Sequence, residues 1–355
     1  MGTLRIILAT AVVIVHSTPI YGWKLMGGPV AVQVFYIISG FFMTMILNEN
    51  YNAPGSYKLF IKKRFMRIFP LYWVIALLAL ILSAIAYCFF DVAGCLASYS
   101  HPLSPVSLVV LIASNIAIFG QDIMMFLGLN NAGDFFFTSN FWQTDPKVYQ
   151  FLLVPQAWFL SLLLMFYLLA PFLVRRRLIT VVLIIIASLG LRVYIYYGLH
   201  WRHDPWNYRF FPTELALFMA GYLSYQILKL ICESIIHPKI PMVAGIGFLL
   251  ITVAYQFLPG VPILGRKWPF LIAATLAIPF LFIWSKHSRM DRYIGELAFP
   301  VYLCHVFIIG IFELLGIPAK GLYIIIASVL FSIALMHLVI RPIDIFCQNR
   351  ILKQA

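Results

Sequence analysis

Charge is scarce in this sequence. Asp, Glu, Lys and Arg supply 10% of its 355 residues, whereas 63% are apolar and 16% aromatic; an average soluble domain is roughly a quarter charged and about half apolar. A water-facing globule of this length has too little interior to hide such a surplus, so a second apolar solvent must take it up. Disorder, collagen-like repeats and a disulfide scaffold are excluded by the same composition. The five cysteines are odd in number, show no CxxC spacing and lie largely in or beside apolar runs, where a thiol behaves as a small hydrophobe. No internal repeat, low-complexity tract or linker is present. The apolar run after Arg5 is followed by no A-x-A cleavage signal, and Ile6 breaks the myristoylation pattern. A hydrophilic tail is missing as well. The expected organisation is one integral membrane domain over residues 1–345 with a short cytoplasmic tail over 346–355, and no attached soluble domain.

Acidic residues are the scarcer charges: 12 against 25 Lys and Arg, a net charge of +13. In a soluble protein that balance would suggest nucleic acid; here the basic residues must first be placed along the chain. Eleven apolar segments approach the roughly 20 residues that a helix needs to cross hydrocarbon: 4–22, 29–47, 69–90, 107–127, 157–174, 178–198, 209–230, 240–258, 268–285, 294–314 and 321–340. The fourth is the weakest, since it contains Ser114, Asn115, Gly120, Gln121 and Asp122. If it does not cross and the amino terminus is cytoplasmic, 17 basic residues lie inside and 8 outside; if it crosses, the split is 13 to 12. The positive-inside rule selects the first arrangement. The expected fold is therefore all-α, a polytopic transmembrane bundle of about ten spanning helices. A re-entrant or interfacial segment near 107–127 sits within a long outer region (91–156), and both termini are cytoplasmic. No nucleic-acid partner is expected, and the surrounding lipids are.

Ionisable groups within spans are costly and usually functional. Arg5 and His16 are eleven positions apart, close to three turns and about 16 Å along a helix axis, which puts both on one face. A single cleft entering from the cytoplasm could present both; the residues alone equally allow Arg5 to reach lipid headgroups while His16 bonds a neighbouring helix. In Ala31–Met43, Ser39 and Gly40 permit close helix approach. The basic loop Lys62-Lys-Arg-Phe-Met-Arg-Ile-Phe-Pro-Leu-Tyr-Trp73 puts Arg64 and Arg67 one turn apart at a helix mouth. There it fits either topology and anionic lipid, or a clamp for phosphates.

These features in this order resemble the acyltransferase-3 family of integral membrane acyltransferases, which modify cell-surface polysaccharides and related molecules. The family's Arg-x10-His is matched by Arg5 and His16, and its Phe-rich segment ending in Ser-Gly-Phe by Phe35–Phe41. Its Arg-x-x-Arg before Pro-Leu-Tyr-Trp is matched by Arg64, Arg67 and Pro70–Trp73. Arg209–Gly221 looks like its Pro-Glu-Phe…Gly segment. Ile294–His305 is similar to its Gly-x-x-Ser-Tyr-x-x-Tyr-Leu-x-His signature. The resemblance runs from residue 4 to about 342. One departure stands out. The family commonly reads Trp-[Ser/Thr]-Leu-x-x-Glu-x-x-Phe-Tyr, and in Trp158–Tyr167 the position of that Glu is Leu163.

The resemblance implies an O-acyltransferase that moves an acyl group, acetyl in most expectations, from cytoplasmic acyl-CoA to a hydroxyl of a glycan, glycolipid or other acceptor, in a bacterial inner membrane. Arg5, Arg64 and Arg67 become donor-binding candidates. His16 becomes the general base or a transient acyl carrier, because an imidazole titrates near neutrality. With Leu163 in the place of the usual acid, Glu214 is the buried carboxylate left to orient a histidine or bind a hydroxyl. Trp158, Ser161, Tyr167, Tyr302 and His305 are candidates for the acceptor side; Trp and Tyr at interfacial depth also anchor membrane proteins by default, and His305 equally suits a structural hydrogen bond. The short cluster His200-Trp-Arg-His203-Asp204 has no further ligand nearby, and no metal is expected. Homo-oligomerisation is left open. The rival reading is a secondary transporter, against which stands the lack of paired Gly/Pro-broken segments in two halves.

Overall fold

The computed structural model describes residues 1–351 except 52, 54, 91–93, 234–236 and 238; Lys353 and the rest of the expected tail beyond 351 lie outside the described residues. The chain is helical almost throughout. In order, the helices are α1 (Gly2–His16), α2 (Gly27–Glu49), α3 (Ser56–Phe90), α4 (Pro105–Ala117), α5 (Trp158–Leu173), α6 (Leu178–Val193), α7 (Phe211–Glu233), α8 (Lys239–Val253), α9 (Lys267–Ser285), α10 (Arg289–Leu314) and α11 (Gly321–Leu335). A π-helical turn carries α11 on into Arg341–Ile351. Among the described residues, eight helices are long and apolar enough to cross a membrane, while α1, α4 and α8 are shorter apolar helices.

The sequence explains where these helices start and stop. α1 ends at His16 because Thr18 precedes Pro19, and a residue before proline is pushed out of helical geometry; Ser17 Oγ turns back to donate to the Val13 carbonyl oxygen at 2.8 Å. α1 is thus shorter than the expected 4–22 span, and 17–26 forms a turn with Tyr21 and Gly22 at positive φ. α4 begins with Ser104 accepting from Ser107 N–H and Pro105 in the first turn, and ends where Ile118 and Gly120 take positive φ. Its 13 residues rise about 20 Å, short of the roughly 30 Å hydrocarbon thickness, as an interfacial or re-entrant piece requires. The region after it is irregular, with 3-10 turns and a two-stranded antiparallel hairpin, β1 (Leu127–Leu129) with β2 (Phe135–Phe137).

One expectation is corrected here. Lys62–Trp73 is not a loop but part of α3, which runs 35 residues with Pro70 inside it. Lys, Leu, Arg and Met are all good helix formers, and nothing before Pro70 interrupts them. α3 is therefore longer than the membrane is thick and carries its basic residues on a rigid element.

Close packing fixes the centre of the bundle. A Cβ added to Gly40 of α2 would lie 1.9 Å from the Phe218 carbonyl oxygen of α7, and one added to Gly221 would lie 2.2 Å from that of Ile37. The two backbones touch where the small residues permit it. Around them a single apolar core gathers fully buried Tyr36, Phe41, Phe166 and Phe218. Loop contacts sort the bundle into two ends. At one, Thr18 Oγ1 accepts from Gly321 N–H, Gln256 Oε1 accepts from Lys24 N–H, and Trp206 Nε1 donates to the Ser139 carbonyl. The other, the basic end, holds the starts of α1, α3 and α10.

Candidate active site

A cavity of about 540 Å³ opens from the basic end. Arg5, Arg64, Arg67, Lys286 and Arg292 line it together with Asp291 and Glu296; deeper in, the wall is Phe35, Ile38, Phe42, Phe159, Leu163, Tyr167, Phe299 and Tyr302. The basic groups come from several elements, Arg5 from α1, Arg64 and Arg67 from α3 and Arg292 from α10. Asp291 accepts from the backbone N–H groups of Gly2 (2.7 Å) and Thr3 (2.8 Å) and from Thr3 Oγ1 (2.8 Å). A carboxylate at the first turn favours the helix dipole and satisfies otherwise orphaned donors. It fixes the start of α1 and hence Arg5, one turn on. Arg64 and Arg67 come from the first turns of α3, with the Arg64 guanidinium 5.6 Å from the Phe60 ring. Tyr167 lines the cavity beside these guanidiniums. Among the described residues, the ion pairs involve Asp291 with the terminal ammonium, Glu214 with Arg192, and Asp204 with Arg209; none neutralises Arg5, Arg64 or Arg67. Three guanidiniums without a carboxylate partner around one cavity make a receptor for an anion.

The structure therefore brings together Arg5, Arg64, Arg67, Tyr167 and Tyr302. Leu163 also reaches the cavity, so the departure from the family pattern puts an apolar side chain in its wall. His16 is not among the lining residues. The single cleft presenting both Arg5 and His16 is replaced by a cavity that stops at Phe35, Phe159 and Tyr302, rings that touch one another in pairs (Phe35–Phe159 centroids 6.1 Å, Phe159–Tyr302 5.4 Å). Beyond them His16, exposed at the end of α1, stands with its ring centroid 5.1 Å from that of His305. His305 is fully buried on α10, and its Nδ1 lies 2.6 Å from the Tyr302 carbonyl oxygen. Tyr302 is itself held: its hydroxyl donates to the Gln156 carbonyl (2.7 Å), and Gln156 Nε2 donates to the Leu303 carbonyl (2.6 Å). That reciprocal clamp ties α10 to the entry of α5.

The other expected site residues lie elsewhere. Trp158 packs beneath Arg209, whose guanidinium is 4.1 Å from the ring centroid while it pairs with Asp204 at 2.6 Å. Ser161 donates to Asp122 Oδ1 (2.6 Å) and accepts from Gly120 N–H (3.0 Å). Burial pushes the Asp122 carboxyl above the ordinary aspartate range, against the lowering effect of that hydrogen bond. Glu214, fully buried, accepts from Arg192 at 2.6 Å and from Gln33 Nε2 at 2.9 Å, and its hydrogen bonds run to neither histidine. No site role was read in the sequence for Asp291, Gln156, Asp122 or Arg192, because each acts on a residue distant along the chain and no local spacing marks it.

A bundle of apolar helices enclosing a guanidinium cluster, with a histidine beyond its inner wall, fits an integral membrane protein. The chain belongs to the acyltransferase-3 family: the model of that family's acyltransferase domain matches residues 2–341. It is a membrane acyltransferase. No curated protein and no solved structure matches the chain.

Proposed function

We propose that the protein transfers an acyl group, acetyl by family resemblance, from acyl-CoA entering at the basic end to a hydroxyl of a surface glycan, glycolipid or other acceptor reaching His16 from the opposite end. The basic-residue count supports a cytoplasmic basic end with both termini there and ten crossings, and the family resemblance supports a bacterial inner membrane. The observation that carries the reading is the cluster of Arg5, Arg64 and Arg67 without a carboxylate partner in the cavity. The donor's phosphates suit those guanidiniums, and the apolar inner wall suits its acyl and pantetheine portions. Two routes fit His16. In the direct one, an imidazole nitrogen takes the hydroxyl proton as the oxygen attacks the thioester carbonyl; the C–S bond breaks and the leaving thiolate takes up that proton. In the other, the imidazole attacks the thioester carbonyl first and the C–S bond breaks to release the thiolate; the hydroxyl oxygen then attacks the acyl carbonyl, the N–C bond breaks, and the hydroxyl proton passes to the thiolate. Glu214 serves by holding Gln33 and Arg192, and the thioester reaches His16 once the Phe35 and Phe159 rings part from Tyr302.

The test uses membrane vesicles with the cytoplasmic face outward and acetyl-CoA labelled in its acetyl group. Label should pass to the glycan or lipid fraction with the wild-type protein and fail to do so with His16→Ala. Quenching with donor alone distinguishes the routes, since only the two-step one leaves a labelled histidine. Full transfer by His16→Ala would sink the assignment, and solute uptake without any acyl donor would favour a transporter.

A further inference from the structure

His305 is buried without a complete set of partners. Its Nδ1 is 2.6 Å from the Tyr302 carbonyl oxygen. A carbonyl only accepts, so Nδ1 carries the proton and the neutral ring keeps its lone pair on Nε2. That nitrogen is buried and has no hydrogen-bond partner. A buried acceptor left unmade costs free energy, and a fold tolerates one where another state of the protein uses it. The neighbour that can supply a proton is His16: the ring centroids are 5.1 Å apart and the planes inclined at 43°. An imidazole edge extends about 1 Å beyond its centroid, so a small rotation of the exposed His16 ring brings an N–H against that lone pair. His305 cannot make the matching movement, because Tyr302 holds its Nδ1 and is held in turn by Gln156.

We infer that His305 is the positioning residue for His16, its Nε2 accepting the N–H on the far side of the His16 ring while the near nitrogen does the chemistry. The inference rests on His16 acting as base or acyl carrier. Either route passes through a cationic His16 ring: one nitrogen holds the acceptor's proton or the acyl group, and the other still holds its own proton. The bond to His305 Nε2 favours that state and fixes which nitrogen faces the substrate. No proton moves to His305, and no charge is created on it. A neutral imidazole here does what a carboxylate does behind the histidine of many hydrolytic sites. It suits a position in apolar surroundings, where an unpaired carboxylate would be costly.

The experiment separates the two nitrogens of His305. Asparagine places its amide nitrogen near the Nδ1 position and leaves the Nε2 position empty; glutamine places its carbonyl oxygen near Nε2. In cytoplasmic-face-out vesicles with labelled acetyl-CoA, His305→Gln should keep most of the maximal rate. His305→Asn should lose it by about a hundredfold, with the KM for acetyl-CoA unchanged and the thermal unfolding midpoint in detergent close to wild type for both. A role confined to packing predicts the opposite order, since only asparagine preserves the bond to Tyr302. Asn retaining the rate, or both variants losing it equally while folded, overturns the inference. His16→Ala is measured alongside. If it is inactive while both His305 variants run at the wild-type rate, only the positioning role fails; if it is active, the reading of His16 fails first.

Discussion

The two ends of the bundle treat arginine in opposite ways. Away from the basic end, Arg192 and Arg209 are each matched to a carboxylate at 2.6 Å and to backbone carbonyls or aromatic rings. Arg192 is 11% exposed and its partner Glu214 0%, and the pair joins α6 to α7 and, through Gln33, to α2. At the basic end Arg5, Arg64 and Arg67 face a cavity that Asp291 and Glu296 also line, yet among the described residues none of the three arginines forms an ion pair. Guanidiniums whose hydrogen bonds are satisfied inside the fold hold helices together, whereas guanidiniums left without an ion pair around a cavity are open to an anion, as the proposed donor would supply. The contrast yields opposite expectations for substitutions of the same residue type.

The largest effect should come from breaking the clasp. Removing one partner of a buried pair strands the other charge, which costs about 3–5 kcal/mol. Glu214→Ala should therefore lower the thermal midpoint strongly in detergent and reduce activity only in proportion to the folded protein that remains. Glu214→Gln, which keeps an acceptor for Arg192 and Gln33, should recover part of the loss. A Glu214→Gln variant that melts like the wild type but cannot turn over would move Glu214 from architecture into the chemistry and collapse the contrast.

Next come Arg64→Gln and Arg67→Gln. A hydrogen bond to a charged group is worth about 1.5–3 kcal/mol, so each should raise the acyl-CoA KM by roughly tenfold to a hundredfold while the thermal midpoint stays within error of the wild type. Easing the repulsion that Arg67 exerts on Arg5 could even stabilise the folded protein slightly. A fall in stability without a change in KM would show that these residues serve the fold, as Arg192 does. Desulfo-CoA or another phosphate-bearing fragment should protect the wild type, and not the variants, from thermal unfolding.

Much of this organisation was legible in the sequence where one element decides it. The expected segments 29–47, 178–198 and 268–285 nearly coincide with Gly27–Glu49, Leu178–Gly198 and Lys267–Ser285, since an uninterrupted apolar run leaves few alternatives. The Arg64/Arg67 spacing also survives, one turn of a real helix. What escaped depends on elements meeting in space. Lys62–Trp73 read as a loop because of its run of charge, although it lies within α3. The wall between Arg5 and His16 is built from Phe35 on α2, Phe159 on α5 and Tyr302 on α10, and no pattern within α1 foretells it. Arg192 lies 22 positions before Glu214 and becomes its partner only when α6 folds back on α7.

The smallest effect, and the finest test of the contrast, concerns Asp122. It is a buried carboxyl at the end where Glu214 and Asp204 are paired with arginines, yet its polar partners are Ser161 and backbone N–H groups rather than a cation. Burial raises its pKa above that of an unfolded-chain aspartate. An acid shifted in that direction contributes most while protonated, and the contribution is lost as the pH rises through the raised value. Asp122→Asn keeps an acceptor for the Ser161 hydroxyl and removes the charge. Its thermal midpoint in detergent should match or exceed the wild type at pH 7, by about 1 kcal/mol at most, and the difference should shrink as the pH falls toward the ordinary aspartate value of 3.8. If Asp122→Asn instead melts lower at pH 7, the ionised carboxylate is stabilised in the folded protein, and pairing with a cation is not what holds charge at this end of the bundle.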